Sequence, residues 1–255
     1  TSSLNGVELS YPPIGWVKEM KDEAELRVSG SLGDEVVIED IFLSSPDLAL
    51  AGSALRKKDE NFSLNFEKVA LKDVFDLKLS KKNDGALDIT GGELNLQEFL
   101  KLPLVTSPSE KSAPLSIYLD ELKLYEKQGI TRFTAALDST GKGEFSGSLN
   151  DLASFSGKLE RVRSGFNMRA VSNNAGSFIR ALGAAKAADG GTAQLNLSHL
   201  ESSPGMEGKL KFKNVRLRNM PALLELLDAI SIVGLIDQLQ GPGLVLNEIE
   251  ADFVN

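Results

Sequence analysis

The segment Ile38-Glu39-Asp40-Ile41-Phe42-Leu43 begins as an alternating strand, loses step over two successive polar residues, and then resumes its alternation. The same apolar-x-polar-apolar-x-apolar pattern returns at Phe66 to Leu71, Leu119 to Leu124, Phe212 to Leu217 and Leu246 to Ala251. A half-buried strand has a side-chain period of two, so an extra residue must be absorbed at each slip. A β-bulge absorbs it, bending the strand and increasing its twist. One device used five times predicts a mainly β fold: a long, curved antiparallel sheet with two or three short helices packed on it or capping it. The irregular spacing of the copies argues against a solenoid of fixed repeats.

Around these copies the chain reads as strands and tight turns. Val36 to Leu43, Leu48 to Leu55, Phe62 to Leu71, Val74 to Leu79 and Ala86 to Thr90 are strand-like, with Asp84-Gly85 as a hairpin turn. Gly91-Gly92 reads as a break before Glu93 to Leu96, and Gln97 to Leu102 as a helical turn stopped by Pro103. The Ser- and Pro-rich run Thr106 to Pro114 is the internal boundary, giving a β-rich segment 1–110 and a second region 111–255. Five more strand-like runs follow between Leu115 and Val171.

Two stretches change period. Ala175, Phe178, Ile179 and Leu182 fall at helical spacing within 172–186, with Ser172 or Asn173 as N-cap. Residues 219–240 form a second helical pattern, apolar around most of its circumference and ended by Gly241-Pro242-Gly243. Its residues Leu223, Leu227, Ile230 and Val233 are expected to pack on the sheet and close one end of its apolar face.

Composition excludes several functions. The formal net charge of -8 argues against nucleic-acid binding and against purely electrostatic attachment to anionic lipid. Cys is absent, so there is no disulfide framework, zinc-thiolate site or cysteine nucleophile. The most apolar uncharged run, Ala229 to Ile236, is far shorter than the roughly 20 residues of a spanning helix. The chain opens at Thr1 and stops at Asn255 inside a strand-like pattern, which reads as a piece of a longer protein. Neither a nucleophile elbow nor a phosphate loop occurs. The single His199 has no partner legible in sequence, and pairs such as Asp120-Glu121 point to opposite strand faces. No catalytic residue, metal site or cofactor is expected, and the protein is read as a non-enzyme.

The order of elements from Ser172 onward carries a resemblance. Asn173-Asn174-Ala175-Gly176, Asp189-Gly190-Gly191, Gly208 to Leu217, Met220-Pro221-Ala222-Leu223-Leu224, Gly241-Pro242-Gly243-Leu244 and Glu250-Ala251-Asp252-Phe253 follow one another as in the C-terminal region of AsmA-like proteins. Leu115 to Asn255 resembles that region, and residues 1–110 are similar only in general style. The resemblance implies a large Gram-negative protein, held in the inner membrane by an N-terminal helix missing here and projecting into the periplasm. It implies a sheet folded lengthwise into an apolar trough, as in bridge-like lipid transfer proteins. Its expected role is phospholipid movement toward the outer membrane, in support of outer-membrane biogenesis and envelope integrity.

Leu115, Ile117, Leu119, Leu122 and Leu124 alternate toward one face, as do Leu195, Leu197, Leu210, Phe212, Val215 and Leu217, while Lys209, Lys211, Lys213, Arg216 and Arg218 take the other. The first set is the expected lining for phospholipid acyl chains, and a charge at Leu122 or Phe212 is expected to block transport while sparing the fold. The rival reading is a scaffold that pairs a sheet edge with envelope protein partners during outer-membrane protein assembly.

Overall fold

A computed structural model describes residues 1–103, 113–125, 128–162, 165–183, 187–199, 205–218 and 243–254. The chain is mainly β, in open sheets that do not close into a barrel. Two compact units, Thr1–Gly141 and Lys142–Asn255, divide it.

The first unit opens with a small hairpin of β1 (Leu9–Tyr11) and β2 (Trp16–Lys18), joined by a 3-10 turn at Pro12–Ile14. Its main sheet holds β3 (Glu25–Leu32), β4 (Val36–Ser44), β5 (Leu48–Arg56), β6 (Ser63–Leu71), β7 (Phe75–Lys81), β8 (Leu87–Asn95), β9 (Leu115–Tyr125) and β10 (Gln128–Leu137) in sequential order. Every neighbouring pair is antiparallel except β8 with β9, which run parallel. A parallel pair needs a crossover, and the chain between these strands carries the short helix α1 (Leu96–Leu100), capped by the Asn95 side chain. This pairing puts β9 and β10 in the first unit, so the division falls at Gly141 rather than at the Ser- and Pro-rich run.

The second unit contains β11 (Lys142–Leu149), β12 (Ala153–Val162), β13 (Gly165–Ser172), helix α2 (Ala175–Ala181), β14 (Ala187–Asp189), β15 (Thr192–His199), β16 (Met206–Arg218) and β17 (Leu244–Val254). β14 and β15 pair with the same edge of β16 in one unbroken register, interrupted only at Gly190-Gly191. There the backbone turns to positive φ and offers the carbonyls of Gly190 and Gly191 to the amides of Gly176 and Ala175 at the start of α2. The helix is capped by Asn174, whose side chain accepts from the Ser177 amide. Ser172 instead ends β13 and donates to the Ser154 carbonyl, so neither residue predicted as the cap fills that role. The helical pattern over 219–240 lies outside the described residues.

Each sheet is covered over part of one face. In the first unit Leu4, Trp16 and Ala24 pack on Leu43, Leu48 and Leu71, so the N-terminal segment, to which the sequence assigned no role, is a cap. In the second, Ala175 and Ile179 of α2 pack on Ala188, Ala193, Phe212, Val215 and Leu217.

Candidate functional site: the apolar sheet faces

The polar pairs inside the repeated segments crease the sheets. In β4 the register with β5 shifts between Ile38 and Ile41, and in β6 the register with β7 shifts between Phe66 and Val69. Both are bulges in which Glu39-Asp40 and Glu67-Lys68 supply the extra residue. On the other flanks of these bulges lie Gly30 and Gly52, where an added Cβ would run into the Val37 and Asn65 carbonyls. Further along the crease, Gly92 sits in the left-handed region at φ 70° and its amide donates to the Asp120 carboxylate at 2.7 Å. The glycine pair therefore bends β8 from within rather than ending it, because Asp120 holds the bent backbone against β9. From Leu119 to Lys123 the third copy keeps an unshifted register with both neighbours. The matching irregularity is carried by Gly91-Gly92 on one side and by Arg132, at φ 50°, on the other.

On the far side of this crease from the N-terminal cap, the first unit shows two transverse apolar rows. Successive registers place Gly52, Phe66, Leu79, Ile89, Ile117 and Ala135 side by side across β5 to β10. The neighbouring row runs Ile38, Ala54, Leu64, Lys81, Leu87, Leu115 and Leu137. Except for Ala54, these side chains are half-buried. The opposite face is charged, with Lys68 to Asp76 at 3.5 Å, Lys78 to Glu67 at 3.9 Å and Lys123 to Glu93 at 2.5 Å. The hydrogen bond to Glu93 holds the Lys123 ammonium above the usual lysine range.

The second unit repeats this two-sided design. Phe253, Gly208, Leu197, Met168 and Leu159 form one row, and Ala251, Leu210, Leu195, Ala170, Gly157 and Phe145 the next. The rings of Phe253 and Phe145 occupy the space that a side chain on Gly208 or Gly157 would need. An aromatic lying over a cross-strand glycine restores the packing that the glycine lacks. On the outer face Lys211 bonds Glu248 at 2.7 Å and Glu250 at 2.6 Å, and Lys209 reaches Asp252 at 3.6 Å. These bonds raise the Lys211 ammonium, and chiefly the Lys211 bond holds the Glu250 carboxyl below its ordinary value.

The eleven lining residues expected from sequence therefore separate into two groups. Leu115, Ile117, Leu124, Leu195, Leu197 and Leu210 are half-buried on the apolar faces. Leu119, Leu122, Phe212, Val215 and Leu217 are buried, the last three in the core that includes α2. An aspartate at Leu122 or Phe212 would thus sit in packed interior, and the expectation that the fold would survive it does not hold. Leu223, Leu227, Ile230 and Val233 lie outside the described residues.

Among the described residues no group of three or more His, Asp or Glu side chains is placed to hold a metal ion, and no helix is long and apolar enough to cross a membrane. His199 ends β15, its side chain filling the space that a Cβ on Gly165 would need. Comparison with known families, known proteins and solved structures finds no match to this chain.

Proposed function

We propose that the chain is a lipid-carrying segment whose half-buried apolar rows hold phospholipid acyl chains, in the manner of the AsmA-like proteins that its second part resembles. One observation carries the reading: each sheet has an apolar face that its own cap covers only in part, set against a charged, ion-paired outer face. An apolar surface that remains part-wet is a binding surface in search of an apolar partner.

The dimensions fit an acyl chain. Strands lie about 4.8 Å apart, so the row from Phe66 to Ile117, crossing four strands, is roughly 14 Å long. Half a bilayer core is about 15 Å. A two-chain lipid of about 30 methylenes has on the order of 25 kcal/mol depending on staying out of water, at roughly 0.8 kcal/mol per methylene. Movement then requires an uninterrupted lining rather than a tight site, and in the first unit the uncharged row from Phe66 through Leu79 and Ile89 to Ile117 supplies one. By the same resemblance, this segment works in the periplasm between the inner and outer membranes.

The test is lipid mass spectrometry of the chain purified from cells. Phospholipid in near-stoichiometric amount, lost in a Leu79→Asp, Ile117→Asp variant and kept in Tyr118→Asp on the outer face, supports the reading. A lipid-free protein overturns it.

One observation favours the scaffold reading. Among the described residues β3 pairs with β4 and otherwise makes a single bridge from Leu26 to Ser2, and it leaves Val28 and Leu32 exposed at the sheet edge without a proline or lysine guard. If edge pairing is the function, proline at Val28 abolishes it and charges at Leu79 and Ile117 do not.

A further inference from the structure

Lys81 interrupts an otherwise apolar row. Its register partners are Leu64 on β6 and Leu87 on β8, and the row continues to Ala54 and Ile38 on one side and to Leu115 and Leu137 on the other. The next residue, Lys82, pairs with Asp88 at 3.6 Å. Lys81 has no such partner: among the described residues it makes no ion pair, although it is half-buried whereas Lys57, Lys58 and Lys72 are exposed. Beyond it, the exposed Arg56 ends the same face of β5, with its guanidinium 5.1 Å from the Phe62 ring centre and, among the described residues, no ion pair. Outer-face lysines are widely matched to acids, whereas among the described residues Lys81 and Arg56 on the apolar face make no ion pair.

We infer that Lys81, supported by Arg56, receives the headgroup of a net-anionic phospholipid whose acyl chains lie on the adjoining row of Phe66, Leu79, Ile89 and Ile117. The inference rests on the lipid-carrying reading and names the substrate class for it. A phosphate beside the Lys81 ammonium forms a charge-assisted hydrogen bond, stronger than one between neutral groups. The lysine stem meanwhile lies along aliphatic neighbours and costs the row little apolar surface. The chain as a whole carries a net charge of -8 and repels anionic membranes, so a preference for anionic lipid must come from a local cation.

The test measures binding of the full chain to fluorescent-acyl phosphatidylglycerol and to its phosphatidylcholine counterpart, supplied from vesicles at low salt. The expected result is a preference of about five- to tenfold for phosphatidylglycerol that shrinks as salt is raised. Lys81→Leu, which completes the apolar row, is expected to keep phosphatidylcholine binding and to bring the ratio close to one. Lys81→Glu inverts the ratio, and Lys72→Leu, outside the rows, leaves it unchanged. A ratio near one in the unaltered chain, or an unchanged preference in Lys81→Leu with an unaltered melting curve, overturns the inference while leaving lipid carriage standing. Binding of neither lipid overturns both.

Discussion

The two units crease their sheets by different means from one sequence pattern. In the first, the extra residues of β4 and β6 face partners that lack them, and the register shifts. In the second, Phe212 to Leu217 and Leu246 to Ala251 lie against each other, Phe212 opposite Ile249 and Val215 opposite Leu246, so each strand absorbs the other's extra residue and the register stays constant. On its other side β16 meets Gly190-Gly191, with Asn214 at φ 54°. The lesson is that two polar residues in step mark a bend, whereas the neighbouring strand decides whether the bend becomes a register shift.

The largest expected effects come from the packed centres. Leu119→Asp in the first unit and Val215→Asp in the second place a carboxylate at sites 2% and 0% exposed, and each is expected to cost roughly 4 kcal/mol or more. Denaturant unfolding followed by proteolytic mapping should show loss of the mutated unit alone. If each change unfolds the other unit equally, the division into separate cores fails.

Next in size are the crease glycines. Gly92→Val forces a β-branched residue to φ 70° and drives its Cβ into the Asp76 carbonyl, at an expected cost of about 3 kcal/mol. Gly190→Ala keeps an equivalent φ of 66° but meets open space, so only the backbone term remains, about 1 kcal/mol. Equal losses of melting temperature would show that crowding between strands is not what distinguishes the two creases.

Single hydrogen bonds come below these. Asp120→Ala removes the acceptor of the Gly92 amide, and Asn174→Ala removes the cap of α2. Each is expected to lower stability by about 1 kcal/mol, measured by urea titration. A neutral Asp120→Ala would mean that Gly91-Gly92 holds its bend without help from β9.

Smallest is the ion-pair ladder between β16 and β17. The folded-state carboxyl of Glu250 is lowered, so its contribution is present above the ordinary carboxylate range and lost as pH falls through the lowered value. Lys211 is raised, so its contribution is present below the ordinary lysine range and lost as pH rises through the raised value. Lys211→Met should therefore reduce the melting temperature slightly at neutral pH, with the difference vanishing in acid as Glu250 is protonated. A difference that persists there belongs to the lysine stem and not to its charge.

What could be read in advance follows from the range of the interactions. Strand positions are local, written in alternation, and the runs Val36 to Leu43 and Leu48 to Leu55 lie within one residue of β4 and β5. Non-local pairing was not legible. Nothing around Leu87 or Leu115 says that their strands run parallel, and Gly91-Gly92 looks like a break because the Asp120 that stabilises it is distant in sequence. The N-terminal cap was missed because Leu4, Trp16 and Ala24 follow no period. Alternation marks a face but not a depth: Ile117 stays half-buried, whereas Leu119, the next residue of β9 on the same face, is fully buried. Lys81 carried a signal, a charge at an inward position of a strand, that reading the repeated segments alone passes over.

The most direct measurement places a photoreactive side chain at Ile117 and, separately, at its neighbour Tyr118, and irradiates each protein with phospholipid vesicles. These adjacent residues differ in the sheet face they occupy. If acyl chains lie on the apolar rows, Ile117 yields a lipid adduct and Tyr118 does not. Equal labelling at both positions, or none at either, contradicts a lipid path on that face.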